Sequence, residues 1–282
     1  MKDPLPIVDS WRQYFADHDE GLGSTYERFV LNAYFRRFKK RFAVARVLEA
    51  PVFGMTGVSG INSMWWAANG ADVTLVDDNE ERVGLIRRVW GACSLKASVI
   101  ARGLKGEPLP FSDRNFDLAW NFASIWFVQD LRSFLGELAR VSTKAVFICV
   151  PNLDNVFNAK RVAGLKHDPR IYLDNIDPGR IKQCLSDMGW QADEEGFLDC
   201  PPWPDIAMKK EDFLKRLGCS FLVKKKQNND RGLSILDYFN GSNKEMEKQV
   251  LKHGWLENAP GFLKKHWAHH RYLLFVPEGS KL

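Results

Sequence analysis

A chain of 282 residues, 45% hydrophobic and 27% charged, carries enough apolar material for one large α/β core with elaborations. Its 40 Lys and Arg against 35 Asp and Glu give a formal charge of +5, spread too evenly to mark a polyanion-binding face, so no nucleic-acid partner is expected. No apolar run of about 18 residues occurs, and Met1-Lys-Asp-Pro-Leu-Pro lacks the apolar stretch of a signal peptide. No transmembrane segment and a cytoplasmic location are therefore expected. Cys93, Cys149, Cys184, Cys200 and Cys219 are scattered without a CxxC pair, which predicts reduced, mostly buried thiols and no zinc knuckle.

In chain order, Trp11, Tyr14 and Phe15, then Tyr26, Phe29, Val30, Ala33 and Tyr34, recur at helical spacing, with an interruption at Gly21-Leu-Gly23. Two amphipathic helices are expected in front of the core. The run Arg36-Arg37-Phe38-Lys39-Lys40-Arg41 reads as the solvated end of the second, where cations complement the helix dipole. Strands and helices then alternate: a strand over 44–48, a helix over 61–68, a strand over 73–76, and a helix over 80–90 capped by Asp78 or Asn79. Further strands over 98–101, 116–121 and 145–150 enclose a helix over 131–141 capped by Asp130. A looser stretch follows Pro151. A helix then starts at Asp177-Pro178 and ends at Gly189, with a strand over 197–200. The remainder holds a basic helix near 209–217, a polar loop at 227–232, a helix over 244–253 and a last strand over 271–276.

This order predicts an α/β, Rossmann-like, doubly wound and mostly parallel seven-stranded sheet, with an N-terminal helical lid and an insertion before the last strand. The expected division is a lid over 1–42, a cofactor-binding core over 43–200, an inserted helical and loop segment over 201–270, and the last core strand with its tail over 271–282.

The chemistry sits just after the first strand, in Glu49-Ala-Pro-Val-Phe-Gly54-Met-Thr-Gly57-Val-Ser-Gly60. Glycines between a strand and a helix let the backbone approach a ligand at the switch point of such a sheet. Asp77, followed by Asp78, ends the second strand, where carboxylate oxygens can accept from both hydroxyls of a ribose. Together these features specify a nucleoside site. The plain alternatives are tight strand-helix packing for the glycines and a buried acid bonded to backbone amides for Glu49.

This constellation resembles the class I S-adenosylmethionine-dependent methyltransferases of the small-molecule type, over about residues 24–200. Leu109-Pro-Phe-Ser-Asp-Arg-Asn-Phe-Asp117-Leu-Ala-Trp, then Glu137-Leu-Ala-Arg140-Val and Val150-Pro151-Asn152, are similar to that superfamily's fourth-strand, helix and fifth-strand block. The resemblance implies S-adenosylmethionine as cofactor. It sets Glu49 as the acid opening the glycine motif, Gly54 and Gly57 in its loop, Asp77 as the ribose acid, and Asn121 and Phe122 beside the methionine moiety. The glycine loop is longer than the family's, with Pro51 and Phe53 where small residues are usual, and the acid after the third strand is missing. Gly103 and Leu104 are left to supply a backbone contact and an apolar wall there. Tyr26 and Arg28 are either core and surface, or an aromatic face and a guanidinium closing over the sulfonium end.

The function expected is methyl transfer to a small-molecule acceptor. An NAD(P)-dependent oxidoreductase uses the same strand-glycine-helix arrangement, and a non-catalytic adenosylmethionine-binding protein is the third alternative. Trp126, Asp154, His269 and His270 are candidates near the reacting methyl, with no catalytic residue assigned. His266 and His270 stand four apart, but no third ligand accompanies them, so no metal is expected. Trp203, Trp255, Phe262 and Trp267 suit either a hydrophobic or aromatic acceptor or anchorage of the insert.

Overall fold

In a computed structural model, the structure describes residues 7–54, 57–103, 107–155, 159, 162–165, 168–202, 233–252 and 254–280. The helix expected near 209–217 and Leu104, Trp203 and Cys219 lie outside the described residues. The elements are α1 (Ile7–Asp17), α2 (Gly21–Phe42), β1 (Arg46–Glu49), α3 (Met64–Ala68), β2 (Asp72–Asp77), α4 (Glu80–Ala92), β3 (Ser98–Ala101), β4 (Phe116–Phe122), α5 (Leu131–Val141), β5 (Ser142–Pro151), α6 (Pro178–Ser186), β6 (Trp190–Leu198), α7 (Leu236–Phe239), α8 (Met246–Leu251), α9 (Gly261–Trp267) and β7 (His270–Pro277).

The seven strands form one sheet in the order β3-β2-β1-β4-β5-β7-β6. The first five are parallel, and β7 runs antiparallel between β5 and β6. The chain winds outward from β1 to β3, then returns to lay β4 on the other flank of β1. That reversal opens a crevice at the carboxyl ends of β1 and β4, where ligands of such sheets bind.

Local chemistry explains the helix starts. Asn79 accepts from the Arg82 N–H at 2.9 Å, Asp130 from the Ser133 N–H at 3.0 Å, and Asp177 from the Arg180 N–H at 2.7 Å ahead of Pro178. Alternation along the strands splits the core between two faces: Val47, Leu75, Trp120 and Phe147 face one, and Leu48, Val76, Ala119 and Ile148 the other.

The segment expected as a lid is packed as a layer of the first face. From α2, Phe35 meets the Trp120 ring at 4.8 Å, Phe38 meets Phe147 at 4.8 Å, and Tyr34 meets Tyr272 at 5.0 Å. Each fully buried aromatic of this kind contributes about 1.5 to 3 kcal/mol, so α2 is held by the sheet over much of its length. The cations at its end are not merely solvated. Arg37 pairs with Glu194 at 2.8 Å, Arg41 with Asp193 at 2.6 Å, and Arg36 with Glu247.

The block that carries the family likeness holds itself together. Glu137 accepts from the Leu109 N–H at 2.7 Å, while Arg140 donates to the Leu109 and Phe111 carbonyls and pairs with Glu137 and Asp113. Asp117 accepts from the Ala45 and Arg46 N–H groups at 2.8 and 2.9 Å and pins β4 beside the entry to β1. The cysteines among the described residues, Cys93, Cys149, Cys184 and Cys200, are buried free thiols. No helix among the described residues is long and apolar enough to cross a membrane.

Candidate active site

After β1 the chain threads between its neighbours: the Ala50 N–H donates to the Trp120 carbonyl and the Val52 N–H to the Val76 carbonyl, both at 3.0 Å. Beyond this stretch a side chain at Gly54 would sit 3.0 Å from the Phe122 carbonyl, so the loop passes hard against the end of β4. Gly57, with φ near +76°, serves a different purpose. A Cβ there would collide with Glu20 and Arg28, which fill the space beside the loop.

That pair is buried and closed on itself. Arg28 Nε donates to Glu20 Oε2 at 2.9 Å, and Glu20 Oε1 also accepts from the Val58 N–H at 2.7 Å. Arg28 further donates to the Val58 carbonyl and to Asn62 Oδ1. The guanidinium expected either at the surface or on a ligand's carboxylate is thus buried and committed to Glu20. The buried charge was legible in neither residue alone, because Glu20 lies outside the helix that carries Arg28.

Glu49 ends β1 almost fully buried. Its oxygens accept from Ser63 Oγ at 2.6 Å and from Asn62 Nδ2 at 3.4 Å, and Ser63 Oγ accepts in turn from Trp120 Nε1 at 3.1 Å. Burial pushes its carboxyl up to about 7 against these donors. The donors are the Ser63 and Asn62 side chains together with the Ser63 backbone N–H, so the acid bonded to a backbone amide read from the sequence is present in part.

Asp77 ends β2, fully buried, with Arg82 Nε at 2.9 and 3.0 Å from its two oxygens and the Asn79 N–H at 2.8 Å from Oδ1. Burial pushes this carboxyl up, opposed by Arg82. The same guanidinium pairs with exposed Asp78 at 2.5 Å and lies 3.9 Å over the Phe53 ring. A ribose reaching Asp77 therefore has to share it with Arg82 or displace it. Gly103 is exposed past β3.

At the end of β4, Asn121 is fully buried, and neither atom of its amide has a hydrogen-bond partner among the described residues. A buried amide left unsatisfied is costly. Trp126 is buried in the second core with its Nε1 also unsatisfied, whereas Asp154 is exposed and pairs with Lys265 at 3.6 Å. Tyr26 is fully buried. Its hydroxyl donates to Glu257 Oε1 at 3.0 Å and to the Cys200 carbonyl at 3.4 Å, joining α2 to the chain beyond β6.

A second buried polar group lies past Phe122, whose ring centroid is 4.4 Å from that of His270. His269 Nδ1 is 2.9 Å from Asp199 Oδ2, and His270 Nδ1 is 3.6 Å from the same oxygen and 3.8 Å from Glu27 Oε2. Burial works against the charge on Asp199, but His269 and His270 outweigh it and hold the carboxyl below its ordinary range. Burial and the neighbouring Asp199 push Glu27 well above its own. His266 stays exposed on α9, so the pair spaced four apart is not assembled. Glu27 and Asp199 were missed in the sequence because no local motif ties them to the histidines.

Comparison with known proteins places this geometry. Residues 55–150, from the glycine loop to the end of β5, match the model of the methyltransferase domain family. That stretch is similar to a methyltransferase domain, and the seven-stranded, mostly parallel sheet has the Rossmann-like fold of such domains. Solved structures agree with the methyltransferase fold at low identity. A provisionally assigned sarcosine dimethylglycine methyltransferase from Galdieria sulphuraria aligns over 96% of this chain and 98% of its own, at 15% identity and a TM-score of 0.56. The magnesium protoporphyrin IX methyltransferase of Synechocystis PCC 6803, solved with SAH bound, aligns over 67% and 87%, at 17% identity and 0.51. The [4+2]-cyclase SpnF aligns over 88% and 81%, at 12% identity and 0.50. No curated protein matches the sequence.

Proposed function

We propose that this chain binds S-adenosylmethionine and transfers its methyl group in line to a small-molecule acceptor. The carrying observation is that the stretch similar to a methyltransferase domain begins directly after an acid at the end of β1 and a close backbone approach at Gly54, and includes an acid at the end of β2. When bound, the cofactor supplies an activated methyl on a sulfonium, which the acceptor's nucleophile displaces to leave adenosylhomocysteine. Asp77 offers two acceptor oxygens to the ribose once Arg82 turns aside. Asn121 and Phe122, at the end of β4, flank the reacting end, and the Asn121 amide gains the partner it lacks. Glu49 keeps the loop in shape through Ser63 and Asn62.

Because the methyl is already activated, most of the rate comes from holding nucleophile and carbon in line, and a base is needed only for a protonated acceptor. His269, oriented by Asp199, is the candidate base. Trp255 and Phe262, 65% and 70% exposed, are apolar faces suited to a hydrophobic or aromatic acceptor.

Calorimetry with adenosylmethionine, adenosylhomocysteine, NAD and NADP tests the cofactor. The two adenosyl compounds should bind and the nicotinamides should not. Asp77→Ala should weaken adenosylmethionine by about thirtyfold, the worth of two charge-assisted hydrogen bonds at roughly 2 kcal/mol together. Unchanged affinity in a folded Asp77→Ala chain removes Asp77 from the site. Methyl-labelled cofactor incubated with a cell extract should label the low-mass fraction.

Cofactor binding without methyl transfer is the second reading, motivated by the unusual glycine loop with Pro51 and Phe53. The likeness to a cyclase shows that this fold is not tied to methyl transfer. Tight binding with no label transferred to any fraction selects it.

A further inference from the structure

We propose that Glu27, Asp199 and His270 form a binding site for one divalent transition-metal ion, of which Zn2+ and Mn2+ suit a donor set of two carboxylates and an imidazole. The donors come from α2, from the residue after β6, and from the first residue of β7, and their ligand atoms all lie within 4.8 Å of one another. Metal bonds of about 2.1 Å at tetrahedral angles separate neighbouring ligand atoms by about 3.4 Å. The distances of 3.6 and 3.8 Å from His270 Nδ1 to Asp199 and Glu27 are close to that edge.

Charge points the same way. All three side chains are at least nine-tenths buried, and among the described residues neither carboxylate has a Lys or Arg ion pair. The nearby guanidinium of Arg28 is committed to Glu20. Two adjacent carboxylates are costly to bury as charges, so without an ion the group has to keep a proton on Glu27 or take up protons on its histidines. An ion balances both acids while the imidazoles stay neutral.

Asp199 supplies an independent sign. Its Oδ2 is held by His269, but its Oδ1 is fully buried with no partner among the described residues. A carboxylate oriented by a histidine still offers an ion the second lone pair of Oδ2 and both lone pairs of Oδ1, and His269 is then the positioning residue. Phe122 walls the site from the sheet side. An ion here ties α2 to the β6–β7 hairpin, whichever reaction the domain performs.

The test uses the full untagged chain, stripped with chelator and titrated with Zn2+, Mn2+ and Co2+ by calorimetry, with metal content measured by mass spectrometry. Wild type should take up one ion per chain and melt at higher temperature when loaded, and the Co2+ form should show visible d–d absorption. Glu27→Gln and Asp199→Asn should each lose at least roughly tenfold in affinity, together with the thermal gain. His266→Asn, a change at an exposed histidine nearby, should behave as wild type. Circular dichroism checks folding, and Glu27→Gln, nearly isosteric, gives the readout if Asp199→Asn does not fold. A wild-type chain with no saturable one-to-one site for any of the three ions overturns the proposal. So do folded Glu27→Gln and Asp199→Asn chains that bind like wild type.

Discussion

The carboxyl end of β1 and the carboxyl end of β6 both bury an acid, and they satisfy it by different routes. Glu49 takes its donors from Asn62 and Ser63, on the loop that immediately follows its own strand. Asp199 takes its partner from His269, and its surroundings from α2 and β7, across long stretches of chain. The first arrangement is a loop closing on itself to hold a backbone shape. The second is a knot between elements that only the finished sheet brings together. A site made within one loop keeps its form when the rest of the domain diverges, whereas a site made between layers depends on every one of them.

The sharpest way to break this contrast is at Glu20, the long-range member of the β1 end. Glu20→Ala leaves the Arg28 guanidinium buried without its counter-charge and frees the Val58 N–H. Removing one partner of a buried pair costs about 3 to 5 kcal/mol, which denaturant unfolding measures. A loss under 1 kcal/mol, the range of surface ion pairs, would mean that water reaches Arg28 and that the loop is open.

Glu49 gives the next effect. Its folded carboxyl titrates at about 7, above its ordinary 4.5, so the unfolded chain releases this proton at lower pH. Below about 4.5 the group costs nothing. As pH rises from there towards 7 it destabilises the fold progressively, and above 7 the penalty is level, on the order of 3 kcal/mol. Glu49→Gln, which mimics the protonated acid, should flatten this part of the stability-pH curve and gain most at pH 8. An identical pH slope in the variant would assign the slope to other groups.

The smallest effect expected is at Gly60, whose φ is +76° and where an added Cβ would sit 2.9 Å from Ile86 Cδ1. Gly60→Ala should cost roughly 1 to 3 kcal/mol in a thermal or chemical melt, from backbone strain and overpacking on α4. It should leave ion uptake at the Asp199 end unchanged. Parallel losses at both ends would show that the loop and the hairpin are coupled through the sheet.

The sequence by itself determined what short-range chemistry controls. Alternating apolar residues drew the strands, the caps at Asn79, Asp130 and Asp177 drew the helix starts, and the order of elements drew the doubly wound sheet. Glu49 and Asp77 were legible too, because a strand end is a position along the chain. Tertiary structure decided who meets whom. It buried Arg28 on Glu20, joined Tyr26 to Glu257, packed α2 into the first core, and gathered Glu27, Asp199 and His270. Periodicity reports which face of an element is buried, but the partner of a buried polar group is set by how distant elements cross, and no local pattern encodes that.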